Sequence, residues 1–269
     1  RIPDADGRVV FVPIEQVVAW QIAAVVEGQS VIECVPFRVT RNADIELRED
    51  LSSDLLAGMQ ELLDDRRETE CIRLEIHRRA SRTLVGAMKR QLSLEQADVY
   101  LVDGPVELRS LMSITQTDGF ENLHDEPWEP VPSPDVDIKE SMFPQIAQGD
   151  ILLVHPYDSF DPVVKFLNDA ADDPQVLAIK QVLYRTASQS AIIEALIRAA
   201  QVGKHVTVLI ELKARFDEAR NISQARRLEL AGAHVVYGVR SLKTHAKICL
   251  VIRREQQGIV RYVHFGTGN

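Results

Sequence analysis

Short apolar, β-branched runs alternate along this chain with stretches whose apolar positions recur every three to four residues, the patterns of strands and amphipathic helices. In the first part, Val31 to Val39, Cys71 to Ile76 and Asp98 to Val102 read as strands, and the regions near Ile14 to Val26, Leu51 to Leu63 and Ser81 to Leu92 as helices. The alternation stops between Asp125 and Asp137, where Pro127, Pro130, Pro132 and Pro134 interrupt any helix or central strand. This predicts an α+β or mixed α/β unit followed by an extended connector.

Beyond the connector the pattern is more regular. Ile151 to Val154 reads as a short strand, followed by a helix opened by Asp161-Pro162 with Val163, Phe166, Leu167 and Ala170 inward. Strand Val176 to Leu183 leads to a helix capped by Ser190, with Ile193, Leu196, Ile197 and Ala200 at helical spacing. Then come strand His205 to Leu212, a helix from about Asp217 to Leu230 stopped by Gly232, and strand His234 to Tyr237. Ala246 to Ile252 and Val260 to Phe265, joined through Gln256-Gln257-Gly258, read as a hairpin. Such a βαβαβ series predicts an α/β fold with a largely parallel sheet covered on both faces.

Composition allows packed cores, with 45% apolar residues in 269. No apolar run approaches the ~18 residues of a membrane span, and neither a starting methionine nor a signal-peptide pattern is present. A soluble stretch internal to a longer protein is expected. Cys34, Cys71 and Cys249 are too few and too scattered for a disulfide framework or a zinc site, in keeping with a reducing cytoplasm. The net charge of -9 conceals an asymmetry: residues 175–269 hold 15 Lys and Arg against 6 Asp and Glu, or +9, leaving 16 against 34, or -18, before them. A cationic segment on an acidic scaffold predicts a local anionic ligand, although a solvated surface has the same composition.

Candidate chemistry gathers at predicted strand ends, where parallel α/β sheets bind ligands. Arg185 and Arg215 follow two successive strands, and guanidinium forks suit phosphate oxygens. Lys243, His245 and Lys247 are spaced by two, so an extended segment would point all three to one face. Flanking ammonium groups disfavour a further positive charge on the imidazole and could hold a phosphoryl group, which makes His245 the candidate nucleophile. His77, His205 and His234 read as packing residues, His124 as exposed, and His155 and His264 as strand-end residues that could approach the site. Asp64-Asp65-Arg66-Arg67 reads as a solvated helix end, and no Walker-type glycine loop is present.

His245-x-Lys247 followed by Gly266-Thr267-x-Asn269 resembles the phospholipase D superfamily signature. Longer strings resemble the polyphosphate kinases, which are ATP-polyphosphate phosphotransferases: Phe-Arg-Val-Thr-Arg-Asn-Ala-Asp (37–44), His-Pro-Tyr-Asp-Ser-Phe-Asp-Pro (155–162), Ile-Lys-Gln-Val-Leu-Tyr-Arg-Thr (179–186), Glu-Leu-Lys-Ala-Arg-Phe-Asp-Glu (211–218) and Leu-Lys-Thr-His-Ala-Lys (242–247). The resemblance implies a phospholipase D-like catalytic domain and reversible transfer of the ATP terminal phosphate to polyphosphate through a phosphohistidine at His245. Lys243, Lys247, Arg185, Arg215 and Asn269 would then bind phosphate. The positions matching Arg185 and Arg215 are assigned in that family to the Mg²⁺ site. A guanidinium cannot ligate a cation, so contact through phosphate oxygens is expected.

The same resemblance implies a partial head domain with dimer contacts over residues 1–124, a Pro-rich linker over 125–145 and a truncated first C-terminal catalytic domain over 146–269. It also implies ATP or ADP and inorganic polyphosphate as partners, no nucleic acid, a homodimer or homotetramer, and a cytoplasmic location compatible with peripheral attachment to the inner membrane. The superfamily's aspartate five residues after the lysine is Ile252 here, which disfavours a phosphodiesterase mechanism. A second His-x-Lys is absent from these residues, so they alone are expected to have little or no turnover. The alternatives are a non-catalytic polyanion-binding or oligomerisation module and a phospholipase D-type phosphodiesterase.

Overall fold

Serine caps set three of the helix starts among the described residues, at Ser81, Ser141 and Ser190. In the computed structural model, which describes residues 2–3, 9–26, 28–42, 55–187, 189–214, 217–239 and 242–267, Ser81 Oγ accepts the Leu84 N–H at 3.1 Å. Ser190 Oγ accepts that of Ile193 at 3.5 Å. Each satisfies a donor that the first helical turn would leave unpaired.

The chain separates into two compact units, residues 1–46 with 64–125 and residues 47–63 with 126–269. The elements in the first part are β1 (Ile2–Pro3), β2 (Val9–Val10), α1 (Ile14–Val25), β3 (Phe37–Arg41), α2 (Leu55–Glu68), β4 (Cys71–His77), α3 (Arg82–Gln91) and β5 (Val99–Val102). β4 pairs antiparallel with β3 and parallel with β5, with α3 as the crossover between the parallel strands. Cys71, Leu74, Ile76 and Leu94 form the core of this small sheet. Strand pairing begins only at Phe37, so the strand expected from Val31 is irregular over its first six residues. The expected start of α2 at Leu51 lies outside the described residues.

The second part contains α4 (Met142–Gln148), α5 (Asp161–Asp172), β6 (Val176–Leu183), α6 (Ala191–Gln201), β7 (His205–Ile210), α7 (Glu218–Leu230), β8 (His234–Tyr237), β9 (Lys247–Glu255) and β10 (Gly258–Gly266). Their sheet runs β10-β9-β6-β7-β8. It is parallel through β6, β7 and β8, and antiparallel where the β9–β10 hairpin joins β6. Gly232, at φ 94°, ends α7 in a conformation that L side chains rarely adopt.

One face of this sheet is buried through Ile179, Val206, Val208, Ile210, Cys249, Val251 and Tyr262, with α5 and α6 contributing Phe166, Leu167, Ile193 and Leu196 to the core. The opposite face, including Lys180, Val182, Leu209, Leu250 and Val263, is half-buried or exposed. Among the described residues the crossover helices therefore cover one face, where cover on both was expected. Steps from β6 to β7 and from β7 to β8 move in the same direction, and two right-handed crossovers of the same direction place their helices on the same side.

The strand expected at Ile151 to Val154 is absent. Its backbone is engaged locally, with the Val154 N–H bonded to Asp158 Oδ2 at 2.6 Å and the Val154 carbonyl accepting from Tyr157 and Asp158. The proline-rich stretch meets this turn: Val131 exchanges backbone bonds with Tyr157 and Ser159, and Trp128 packs edge-on to Tyr157 with ring centroids 5.8 Å apart. Among the described residues no helix is long and apolar enough to cross a membrane.

Candidate active site

The carboxyl end of β6 delivers Tyr184 and Arg185 to the rim of the sheet, and Tyr184 becomes the centre of a cationic cluster. The His245 ring stands edge-on to Tyr184 with centroids 4.7 Å apart. Lys247 Nζ lies 4.7 Å from the same ring centroid, and Arg185 Cζ lies 5.9 Å from it. An aromatic face attracts cations electrostatically, so Tyr184 gathers charges that would otherwise repel one another. Partial desolvation pushes the Lys247 ammonium below its ordinary value, and like charge from Arg185 adds to the shift.

His245 and Lys243 are exposed. They precede β9, which begins at Lys247, so the common face expected from an extended strand is not imposed by ladder pairing. Instead, Lys247 Nζ donates to the His245 carbonyl at 2.8 Å. Lys213 Nζ donates to the Leu242 carbonyl at 2.5 Å, and the Thr244 N–H donates to Glu211 Oε2 at 2.6 Å. Arg215 and Asn269 lie outside the described residues.

Arg185 is oriented by Asp217, whose Oδ2 is 3.0 Å from Arg185 Nε while its Oδ1 accepts from Arg220 Nη1 at 2.9 Å. Beneath this rim, the fully buried Asn221 side chain donates to the carbonyls of Tyr184 at 2.8 Å and Glu211 at 2.9 Å. Its Oδ1 accepts from Thr186 Oγ1 at 3.1 Å. One amide thus ties together the ends of β6 and β7. Sequence reasoning missed Tyr184, Glu211, Asp217 and Asn221. The signal available for Tyr184 and Glu211 was a polar residue directly after an apolar strand, which has to find a partner when buried.

His264 does approach the site. Gly266 pairs with Lys247 across the hairpin, and a methyl group on Gly266 would stand 3.4 Å from both His264 Cε1 and Lys247 Cβ. Burial lowers the basicity of His264, and electrostatic repulsion from the neighbouring His155 lowers it further. The unfolded chain then binds the extra proton more readily. The stability contributed by a neutral His264 is complete above pH 6.5, its ordinary value, and is lost as pH falls through the lower folded value. The thermal midpoint is expected to fall on acidification below about pH 6.5, and less steeply in His264→Gln, as thermal melts across pH 5 to 8 would read.

Two family models match successive parts of the chain. The model of the polyphosphate kinase middle domain matches residues 1–114, and that of polyphosphate kinase C-terminal domain 1 matches residues 141–269. The chain belongs to the polyphosphate kinase family. It is 52% identical over 256 residues to the polyphosphate kinase of Rhodopirellula baltica, covering 95% of this chain and 30% of that protein. It is 45% identical over 269 residues to that of Exiguobacterium sibiricum, covering 99% and 37% respectively. The crystal structure of the Porphyromonas gingivalis polyphosphate kinase superposes with a TM-score of 0.66 at 27% identity, over 90% of this chain and 33% of that one. The chain thus spans about a third of the length of these relatives. Tyr184, Arg185, Glu211, Asn221, His245 and Lys247 all fall within the segment matched as C-terminal domain 1.

A magnesium ion fits this side-chain set poorly as a protein-held group. No cluster of three or more His, Cys, Asp or Glu suited to a metal occurs among the described residues. Arg185 is itself a cation, and both oxygens of its neighbour Asp217 are engaged by arginines.

Proposed function

We propose that this chain supplies part of the active site of an ATP:polyphosphate phosphotransferase in which His245 carries the transferred phosphoryl group. The reading is supported above all by the convergence of His245, Lys247 and Arg185 on the Tyr184 ring, which sets a nucleophile beside two cations at a sheet rim. A ring nitrogen of His245 attacks the terminal phosphorus of ATP, the nitrogen–phosphorus bond forms as the bond to the ADP oxygen breaks, and ADP leaves. A terminal oxygen of polyphosphate then attacks the phosphohistidine, lengthening the polymer by one phosphate and restoring the imidazole. The reverse sequence makes ATP. Phosphoryl transfer of this kind depends on positioning and on neutralising the equatorial oxygens, roles that suit Lys247, Lys243 and Arg185, with Arg215 and Asn269 proposed beside them. Magnesium is proposed to arrive on the nucleotide phosphates, as part of the substrate.

Incubation of the complete polypeptide carrying these residues with γ-labelled ATP and Mg²⁺, followed by mapping of acid-labile phosphate, tests the reading. Label on His245 supports it; an active enzyme with His245 unlabelled refutes the covalent route. Arg185→Lys keeps the charge but loses the planar fork, and is expected to lower kcat/KM for ATP by about 10- to 100-fold, the loss of one charge-assisted hydrogen bond. Steady-state kinetics at fixed polyphosphate would read this. We also propose that residues 1–124 contribute head-domain and dimer contacts, that the assembly is a homodimer or homotetramer, and that the location is cytoplasmic. The exposed apolar side chains of α1, Ile14 and Trp20 among them, offer surface for such contacts.

A further inference from the structure

Glu211 is fully buried, an expensive place for a carboxylate unless its oxygens are satisfied. Both oxygens meet backbone donors. Oε1 accepts the Lys213 N–H at 2.8 Å, and Oε2 accepts the Thr244 N–H at 2.6 Å from a segment 33 residues further along the chain. The backbone of Glu211 is itself anchored: its N–H donates to the Leu183 carbonyl at 3.0 Å, and its carbonyl accepts from Asn221 Nδ2 at 2.9 Å. One residue therefore joins the ends of β6 and β7 to the residue immediately before His245. That matters because residues 242–246 precede the ladder of β9, and such a segment relies on individual bonds to keep one shape.

We propose that Glu211 is the positioning residue for His245, holding the 242–246 segment so that the imidazole stays against Tyr184 and faces the incoming phosphorus. The assignment rests on His245 as phosphoryl carrier. Its chemistry requires a group with two acceptors and no donor, since two N–H groups converge on it. Glutamine has nearly the same shape but presents an NH₂ to one of them, leaving a donor facing a donor. Alanine removes both acceptors and leaves two N–H groups without partners. A displacement of about 1 Å at a reacting group costs about a hundredfold in rate, whereas Lys247 and Arg185 lie outside the 242–246 segment and keep their hold on the substrate even as Lys243 within it shifts.

The test uses the complete polypeptide, wild type and Glu211→Gln, with amide hydrogen exchange and steady-state kinetics measured on the same preparations. The Thr244 amide is expected to be protected in the wild type and to exchange faster in the variant, with protection in β6 and β7 retained. The kcat is expected to fall by about 30-fold or more while the KM for ATP stays within about threefold, the split that mispositioning produces and a weakened binding site does not. An unprotected Thr244 amide in the wild type overturns the proposal without recourse to any variant. So does faster exchange with kcat unchanged. Loss of protection throughout β6 and β7, or failure of the variant to fold, assigns Glu211 to domain stability and overturns it as well. Absence of phosphate from His245 in an active wild-type enzyme is a separate failure, which removes the phosphohistidine reading while exchange at Thr244 still reports whether the tether exists.

Discussion

His245→Ala in the complete polypeptide is expected to abolish the acid-labile phosphoenzyme and to lower ATP-dependent polyphosphate synthesis by at least about a thousandfold, because a covalent route has no substitute for its nucleophile. Polyphosphate binding should persist at near wild-type affinity, since Lys247 and Arg185 keep their places around Tyr184. The combination discriminates among the functional classes. A non-catalytic polyanion-binding module would lose nothing measurable. A phosphodiesterase of the phospholipase D type would lose hydrolysis of a diester such as bis(p-nitrophenyl) phosphate, an activity not expected in the wild type. Ile252 stands where that superfamily has its aspartate, and by strand alternation it lies on the opposite face of β9 from Lys247. Acid-quench labelling, turnover and a binding isotherm on one preparation would separate the three.

Asn221→Ala is expected to destabilise the C-terminal half of the chain by about 2–4 kcal/mol, seen as a fall in thermal midpoint of about 5–15 °C. The side chain is fully buried and makes three hydrogen bonds, to Tyr184 O, Glu211 O and Thr186 Oγ1. Truncation leaves the buried Glu211 carbonyl and the part-buried Tyr184 carbonyl without that donor and opens a void, and each unmade buried bond costs about 1–3 kcal/mol. Asn221→Asp should be at least as damaging, because an acceptor would replace the amide NH₂ that faces both carbonyls. A melting-temperature change below about 2 °C for both variants would mean that the strand ends are held by other contacts.

Elements with strong local signals were legible in the chain. Strand Val176–Leu183 has the predicted bounds, and helix Asp161–Asp172 begins at its Asp-Pro pair because proline is preorganised for the first turn. Strand Ile151 to Val154 failed because apolar residues alone do not make a strand. It also needs a partner ladder, and here a tight turn through Asp158 took the backbone bonds instead. The arginine and histidine of the candidate site were legible for a related reason: both follow or precede strands, at the rim where strand ends converge.

What the sequence by itself determined is the set of elements with strong local signals, the cationic character of residues 175–269 and the residue types able to handle phosphate, all of which depend on local propensity, charge and spacing. Tertiary structure alone decided which side chains meet. Strand order put both crossover helices on one face of the sheet, and the insertion of the hairpin beside β6 brought His245 to Tyr184 across 61 residues of chain. It also decided that Glu211 and Asn221, unremarkable in sequence, would be buried where their hydrogen bonds hold the rim together. Burial and partner geometry arise from long-range packing, which a polar residue after an apolar strand can signal but not specify.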